Sequence, residues 1–272
     1  MKKLSIITIC YNEPNLEQTC ESIVNQTWQD FEWIVIDGGS NNETLGIFEK
    51  YKHRIDKFVS EPDNGIYNAC NKGIKLATGE YVHFLNAGDS YYSSDILKKV
   101  FQNNNFQEDI LYGEQQEIDR QDLYKNTFSK QPQINKCFII NSCVQTSAAF
   151  IKRELFNKYG LFNENYKIVS DYEHFVIFFK GGEIFRHINL VVSKFDKSGI
   201  SSNKKFEKLH KKERNDVIQK YFSKREIEEA FSKCKKLSFL EQIFSITNSC
   251  GGTHKVISIL GIHFKIRRNI NA

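Results

Sequence analysis

Proline, methionine and tryptophan are scarce: three, one and two residues in a chain of 272. Three prolines exclude a long Pro-rich linker. Seven cysteines (Cys10, Cys20, Cys70, Cys137, Cys143, Cys234, Cys250) include no CxxC pair. An odd, scattered set argues against a zinc site or a disulfide framework and reads as reduced thiols of a cytoplasmic protein. No uninterrupted apolar run approaches the roughly 20 residues of a membrane-spanning helix. Behind Lys2-Lys3, the apolar run at 4–10 is too short for a signal peptide. It meets polar Tyr11-Asn12-Glu13 instead of a small-residue cleavage site, so it reads as a first strand. There is no internal repeat and no low-complexity segment. What remains is 40% hydrophobic and 13% aromatic, enough for a globular protein with a sizeable core.

Charge is unevenly placed. Residues 203–272 carry 16 Lys and Arg against 7 Asp and Glu, a net +9. The preceding 202 residues carry 22 against 26, a net −4, and the whole chain is +5. A near-neutral body with a basic tail suggests an anionic surface partner for the tail. No nucleic-acid partner is expected.

The pattern alternates. Apolar runs at 4–10, 33–36 and 81–85 predict strands, and 55–59 reads as a short one. Helical spacing covers 15–25, 44–51 and 65–77. Strands alternating with helices predict an α/β fold with a mostly parallel central sheet flanked by helices. Further on, a helix is predicted at 95–101, a strand from 110, a hairpin within 113–129, a strand at 148–151, a helix at 171–179 capped by Ser170, and a strand at 185–195. From 203 the chain reads as charged and helical through about 236. The organisation predicted is a nucleotide-binding half at 1–90, an acceptor half at 91–202 and a basic helical extension at 203–272.

Residues 60–90 carry the most information. The strand Tyr81-Val82-His83-Phe84-Leu85 ends abruptly in Asn86-Ala87-Gly88-Asp89. In an open α/β sheet ligands bind at the carboxyl ends of the strands. A carboxylate at Asp89 suits Mg2+ or Mn2+ held against a diphosphate, since hard cations prefer oxygen ligands; a helix cap is the alternative. Asp37 ends a second buried strand and precedes Gly38-Gly39, as either a turn former or an acceptor for a base or ribose. Asp171 opens a helix, as either a first-turn acid favoured by the dipole or a general base. His83, inside a strand, reads as a core histidine.

The segment Ser5-Ile6-Ile7-Thr8-Ile9-Cys10-Tyr11-Asn12-Glu13 resembles the opening strand of family 2 glycosyltransferases. Val35-Ile36-Asp37-Gly38-Gly39-Ser40 resembles their second-strand motif. Residues 61–73 and 79–89 are similar to members that build bacterial capsule, lipopolysaccharide and colanic-acid-type polysaccharides. Ser170-Asp171-Tyr172-Glu173 resembles the later acidic motif at the start of the catalytic helix. These motifs, in this order, run through residues 1–202.

The resemblance implies a glycosyltransferase A-type fold and inverting transfer from a nucleotide sugar of UDP, GDP or dTDP type to a glycan or lipid-linked acceptor. Carried over, Thr8, Tyr11, Asn12 and Glu13 line the base pocket and Asp37 with Gly38 contacts the base. Asp63, Asn64 and Gly65 lie along the nucleotide. Lys72 places a charge near the diphosphate, and Asn86 falls among the nucleotide-sugar-binding positions. Asp89 holds Mn2+ or Mg2+ and Asp171 is the base. Gln145, Glu173 and His174 fall on the acceptor side. Two positions depart from the pattern: Asn86 stands where the family often has a first metal-binding acid, and Val144 stands where many relatives have His. The tail at 256–268 joins apolar residues to a basic end, which suggests peripheral contact with the inner face of the cytoplasmic membrane. Two other functions share the α/β frame. A sugar nucleotidyltransferase would need a Gly-rich basic loop after the first strand, where Tyr11-Asn12-Glu13-Pro14-Asn15 stands. A non-catalytic binding module would not need both Asp89 and Asp171.

Overall fold

The computed structural model describes residues 2–119, 127–129 and 132–232, together with the backbone of three strands beyond them. Strands β1 (Leu4–Cys10) and β2 (Phe31–Asp37) are buried along their whole length. That explains their continuous apolar runs: a strand covered on both faces has no solvent side to alternate with. Helix α1 (Leu16–Val24) joins them and turns Leu16, Cys20 and Ile23 to the sheet. Helix α2 (Asn42–Tyr51) follows, its first turn capped by the Asn41 side chain, which accepts from the Thr44 amide at 3.1 Å. After β3 (Lys57–Ser60), helix α3 (Ile66–Leu76) starts at Gly65, whose φ of +119° only glycine adopts readily. Strand β4 (Tyr81–Phe84) completes a parallel run in the order β3-β2-β1-β4.

The second half is mixed. In chain order it contains β5 (Ser90–Tyr91), α4 (Ile96–Phe101), β6 (Ile110–Ile118), β7 (Thr127–Ser129), α5 (Lys136–Asn141), β8 (Ala149–Lys152), α6 (Glu154–Tyr159), α7 (Ser170–Gly181) and β9 (Phe185–Asp196). Strand β8 pairs antiparallel with both β4 and β6, and β9 runs parallel to β6. Strands β6 and β7 form the expected hairpin. The sheet is therefore parallel in its first half and mixed beyond β4. Helix α7 begins at Ser170 but is not capped by it: the Ser170 hydroxyl is buried without a partner, and the Tyr172 amide is taken instead by the Asp171 carboxylate at 2.8 Å.

Alternation along β1 sends Leu4 and Ile6 to a cluster under α1 and α4, and Ile7 and Ile9 to a larger cluster under α3 and α7. His83 is a core histidine, as expected. Its Nδ1 faces the Ala149 carbonyl at 2.9 Å, its ring stacks on Phe150, and burial pushes its pKa down to about 4.

Helix α8 (Glu207–Tyr221) and a further helical stretch at 224–232 carry the start of the basic extension. Beyond it the chain departs from the helical expectation. Strands β10 (Phe244–Asn248), β11 (His254–Ile259) and β12 (Ile262–Arg267) pair antiparallel. The side chains at 256–268, on which the membrane expectation rests, lie outside the described residues. Cys10, Cys20, Cys70 and Cys143 are free thiols, whereas Cys137 is disulfide-bonded, an exception to the all-reduced expectation.

One buried carboxylate ties the parallel half together. Glu32 on β2 accepts from Ser5 Oγ (2.6 Å), the Thr78 amide (2.5 Å), Thr78 Oγ1 (2.9 Å) and Lys57 Nζ (2.9 Å). Gly79 packs so close to β1 that a Cβ there would sit 2.6 Å from the Ser5 nitrogen. Burial works to raise the Glu32 pKa, but the bonds from Ser5, Lys57 and Thr78 together outweigh it and hold it at about 2, below its ordinary 4.5. A depressed acid contributes stability that is present above the unfolded-state value and lost as pH falls through the folded-state value. Glu32→Gln is expected to cost roughly 2–3 kcal/mol in urea unfolding at pH 7, with the difference from wild type shrinking between about pH 4.5 and pH 2. An equal difference at pH 7 and pH 3 would contradict this.

Candidate active site

The parallel order places β1 between strands reached by crossovers on opposite faces, so the loops after β1 and β4 part and leave a crevice at their carboxyl ends. A cleft of about 960 Å3 opens there, with Tyr11, Glu13, Asp63, Asn86 and Asp89 at one end and Gln145, Thr146 and Asp171 further along.

Asp171, in the first turn of α7, is held from three elements. Tyr67 of α3 donates its hydroxyl to Oδ1 at 2.9 Å, Thr146 before β8 donates to Oδ2 at 2.7 Å, and the Tyr172 amide bonds Oδ1. Burial, with the Asp171 charge next, pushes the Tyr67 phenol well above its ordinary value, so it stays a donor. The carboxylate is thus fixed while still lining the cleft.

Asp89 sits at the tip after β4 and is 5% exposed. Its backbone is clamped: the Thr19 hydroxyl donates to the Asp89 carbonyl at 2.6 Å and accepts from the Gly88 amide at 3.0 Å. Its Oδ1 accepts from the Asp196 amide at 2.9 Å. Burial raises its pKa to about 8; the Asp196 amide works against the rise, and the charges of Asp196 and Glu13 add to it. A carboxyl kept so reluctant to ionise suits a place where a cation arrives. Asn86 Oδ1 beside it is buried and has no hydrogen-bond partner. Asp196, at the end of β9, also lines the cleft, its Oδ1 accepting from the Ser198 amide at 2.8 Å. Sequence reading missed Asp196, although an acid at a strand end before Lys197-Ser198-Gly199 has the same local signature as Asp89.

Asp37 is fully buried behind the cleft. Its Oδ2 accepts from the Gly39 and Ser40 amides and from Ser60 Oγ (3.2, 3.0 and 2.6 Å), while Oδ1 is buried with no partner. Gly38 leaves room for Asp63: a Cβ there would lie 2.6 Å from Asp63 Oδ2. Asp63 in turn accepts from the Gly65 amide at 2.8 Å.

Several expected residues stand outside the cleft. Thr8 lies on the α1 face of β1, where it accepts from the Trp33 indole at 3.0 Å. Asn12 bridges to the loop after β2 through Ser40 Oγ and the Asn41 amide. The Asn64 amide bonds the Asn68 side chain in the first turn of α3. Lys72 pairs with Glu61 at 2.8 Å and bonds the Pro62 carbonyl. Glu173 is buried and accepts from Lys220 Nζ (2.9 Å) and the Tyr221 hydroxyl (3.0 Å), which anchors α8. His174 is buried among Phe156, Phe162 and Phe178, its nitrogens against the Ser170 and Gly160 carbonyls. Motif position put these last three near the site, but it does not tell which face a side chain takes.

Comparison with known proteins decides the family. The model for the family described as glycosyl transferase family 2 matches residues 5–182. The chain belongs to glycosyl transferase family 2. This glycosyltransferase is 31% identical to a PGL/p-HBAD biosynthesis glycosyltransferase of Mycobacterium bovis over 206 residues, covering 73% of this chain and 78% of the relative. In fold it is similar to S. aureus TarS in a crystal structure with UDP (TM-score 0.57, 19% identity, 71% of this chain). It is also similar to the mannosyltransferase PcManGT of Pyrobaculum calidifontis, solved with GDP-Man and Mn2+ (TM-score 0.55, 19% identity, 71% of this chain). The glycosyltransferase spans 60% and 56% of those two solved chains. Its fold is the A-type arrangement implied by the motifs.

Because Glu173 is an anchor of α8, Glu173→Ala is expected to lower unfolding stability by about 2 kcal/mol. Urea titration measures this. Unchanged stability would contradict the anchor role.

Proposed function

We propose that this enzyme transfers a sugar, with inversion, from a nucleoside-diphosphate sugar to an acceptor hydroxyl, and that Asp171 is the general base. The observation that carries the reading is the Asp171 carboxylate, fixed by Tyr67, Thr146 and its own helix start in the middle of a cleft whose other end gathers the nucleotide-side residues. An acceptor hydroxyl is a poor nucleophile. A positioned carboxylate that takes its proton as the bond forms supplies roughly 10²–10⁴-fold in rate. Attack from the face opposite the leaving diphosphate inverts the anomeric centre.

On the donor side, Tyr11 is 67% exposed at the cleft mouth and offers a ring for a base to stack on. The unpartnered Oδ1 of Asp37 is an acceptor for a base N–H, and Asp63 with Gly65 follows the nucleotide. UDP, GDP and dTDP donors all fit this outline; the fold neighbours solved with UDP and with GDP-Man support it.

A divalent cation fits the donor set. Asp89, Asp196 and Asn86 Oδ1 are hard oxygen donors around one corner of the cleft. Among the described residues no group of three or more His, Cys, Asp or Glu is placed to hold a metal unaided. The diphosphate would therefore complete the coordination. Asp89 would be the principal ligand for Mn2+ or Mg2+, which when bound supplies Lewis-acid stabilisation of the leaving diphosphate. The motif resemblance to polysaccharide-building transferases supports a glycan or lipid-linked acceptor in surface polysaccharide synthesis. No described helix is long and apolar enough to cross a membrane; contact with the inner membrane face would be peripheral.

A thermal-shift screen of UDP, GDP and dTDP sugars with Mn2+ tests the donor reading. A donor at about 100 times its dissociation constant should add roughly 2.7 kcal/mol of apparent stability, and Asp89→Asn should abolish the Mn2+-dependent part. No shift with any of these donors would overturn the reading.

A further inference from the structure

We propose that the end of the cleft walled by α8 is a subsite for a phosphoryl group carried by the acceptor. The inference rests on the transfer reading above and names the acceptor's chemical class.

Charge is segregated along the cleft. Glu13, Asp63, Asp89 and Asp196 line the end at β1 and β4, whereas Lys167, His210 and Arg214 line the end beyond Asp171. His210 feels the charges of Arg214, Asp171 and Glu213, which places the basic group beside the proposed base. The loop after β9 adds the hydroxyls of Ser201 and Ser202, whose turn packs on α8, to the same wall.

The basic end is built rather than incidental. Arg214 lies flat against the Tyr172 ring, 4.0 Å from its centroid, and donates Nη2 to the Ser142 carbonyl at 2.5 Å and the Ile140 carbonyl at 3.4 Å. These bonds fix its plane where the residue lines the cleft. The neighbouring acid, Glu213, is buried and forms no ion pair with these cations: both its oxygens accept backbone amides, of Lys167 and Ile168, at 2.9 Å. Those bonds hold the Lys167 backbone to α8, while no carboxylate pairs with Lys167 Nζ among the described residues. Lys197 nearby is paired with Glu117 and is not counted. Two cations, an imidazole and two hydroxyls offer more donors than a carboxylate has oxygens and match the three oxygens of a phosphoryl group. The donor's own diphosphate belongs at the opposite, acidic end, where a bound cation would offset the charge. Helix α8 lies outside the span matched by the family model, whereas Lys167 lies within it.

The test is calorimetric titration of the full chain saturated with whichever nucleoside diphosphate (UDP, GDP or dTDP) it binds, which keeps probes out of the donor pocket. The probes are inorganic phosphate and decyl diphosphate. Both Lys167→Gln and His210→Gln should weaken decyl diphosphate binding, each by about tenfold, with nucleoside diphosphate affinity unchanged. Tighter binding of decyl diphosphate than of inorganic phosphate supports a lipid-linked acceptor. Equal binding, with the same loss in both variants, supports a soluble phosphorylated one. Variants that bind the probes as wild type does would overturn the subsite alone. A chain that binds no nucleoside diphosphate would remove the transfer reading and this inference with it.

Discussion

The parallel pairing of β1 with β2 on one side and β4 on the other is the constraint on which the rest depends. Its register sets Cys10 opposite Asp37 and Ile7 opposite Phe84, so the strands release their loops along one edge. Glu32 locks that register from the far end by joining β1, β2, β3 and the turn before β4. With the amino ends pinned, Tyr11, Gly38 and Asn86 emerge together although up to 75 positions separate them in sequence. The cleft follows from sheet geometry before any side chain is considered.

The second half of the sheet supplies the chemistry. Reversal of direction at β8 brings Thr146 to one side of Asp171, and α3 brings Tyr67 to the other. Hydrogen bonds to a charged group are worth roughly 1.5–3 kcal/mol each, so two side-chain donors and an amide are enough to hold one rotamer. Strand β9, parallel to β6, carries Asp196 back beside Asp89 across 107 positions. This bears on the weakness read at Asn86: the missing acid of the turn after β4 has a carboxylate neighbour from another strand.

Most of the first half was legible in the sequence. Buried parallel strands write themselves as apolar runs, and Asp37, Asp89 and Asp171 stand out because an acid after such a run, or at a helix start, is conspicuous. Thr8, Lys72, Glu173 and His174 were drawn towards the site by motif position. Their faces are set by strand alternation and helix rotation against neighbours that one sequence does not display. Asp196 carried a signal equal to that of Asp89 but lay outside the resembling motifs. His210 and Arg214 gave no signal, because a Lys- and Arg-rich helix looks like any solvated one until Glu213 and Glu173 are seen holding it against the cleft. The mixed pairing after β4 was hidden for a related reason: β6 and β9 meet only through long-range contacts.

The central claim is that Asp171 acts as the base in a cleft already assembled to bind the donor. Its most direct test is Asp171→Asn, which is nearly isosteric and keeps an oxygen to accept from Tyr67 or Thr146. Donor affinity by calorimetry and turnover with donor and acceptor should be measured on the same preparation. The account predicts unchanged donor affinity and a turnover reduced by roughly 10²-fold or more. Turnover within a few-fold of wild type would contradict it.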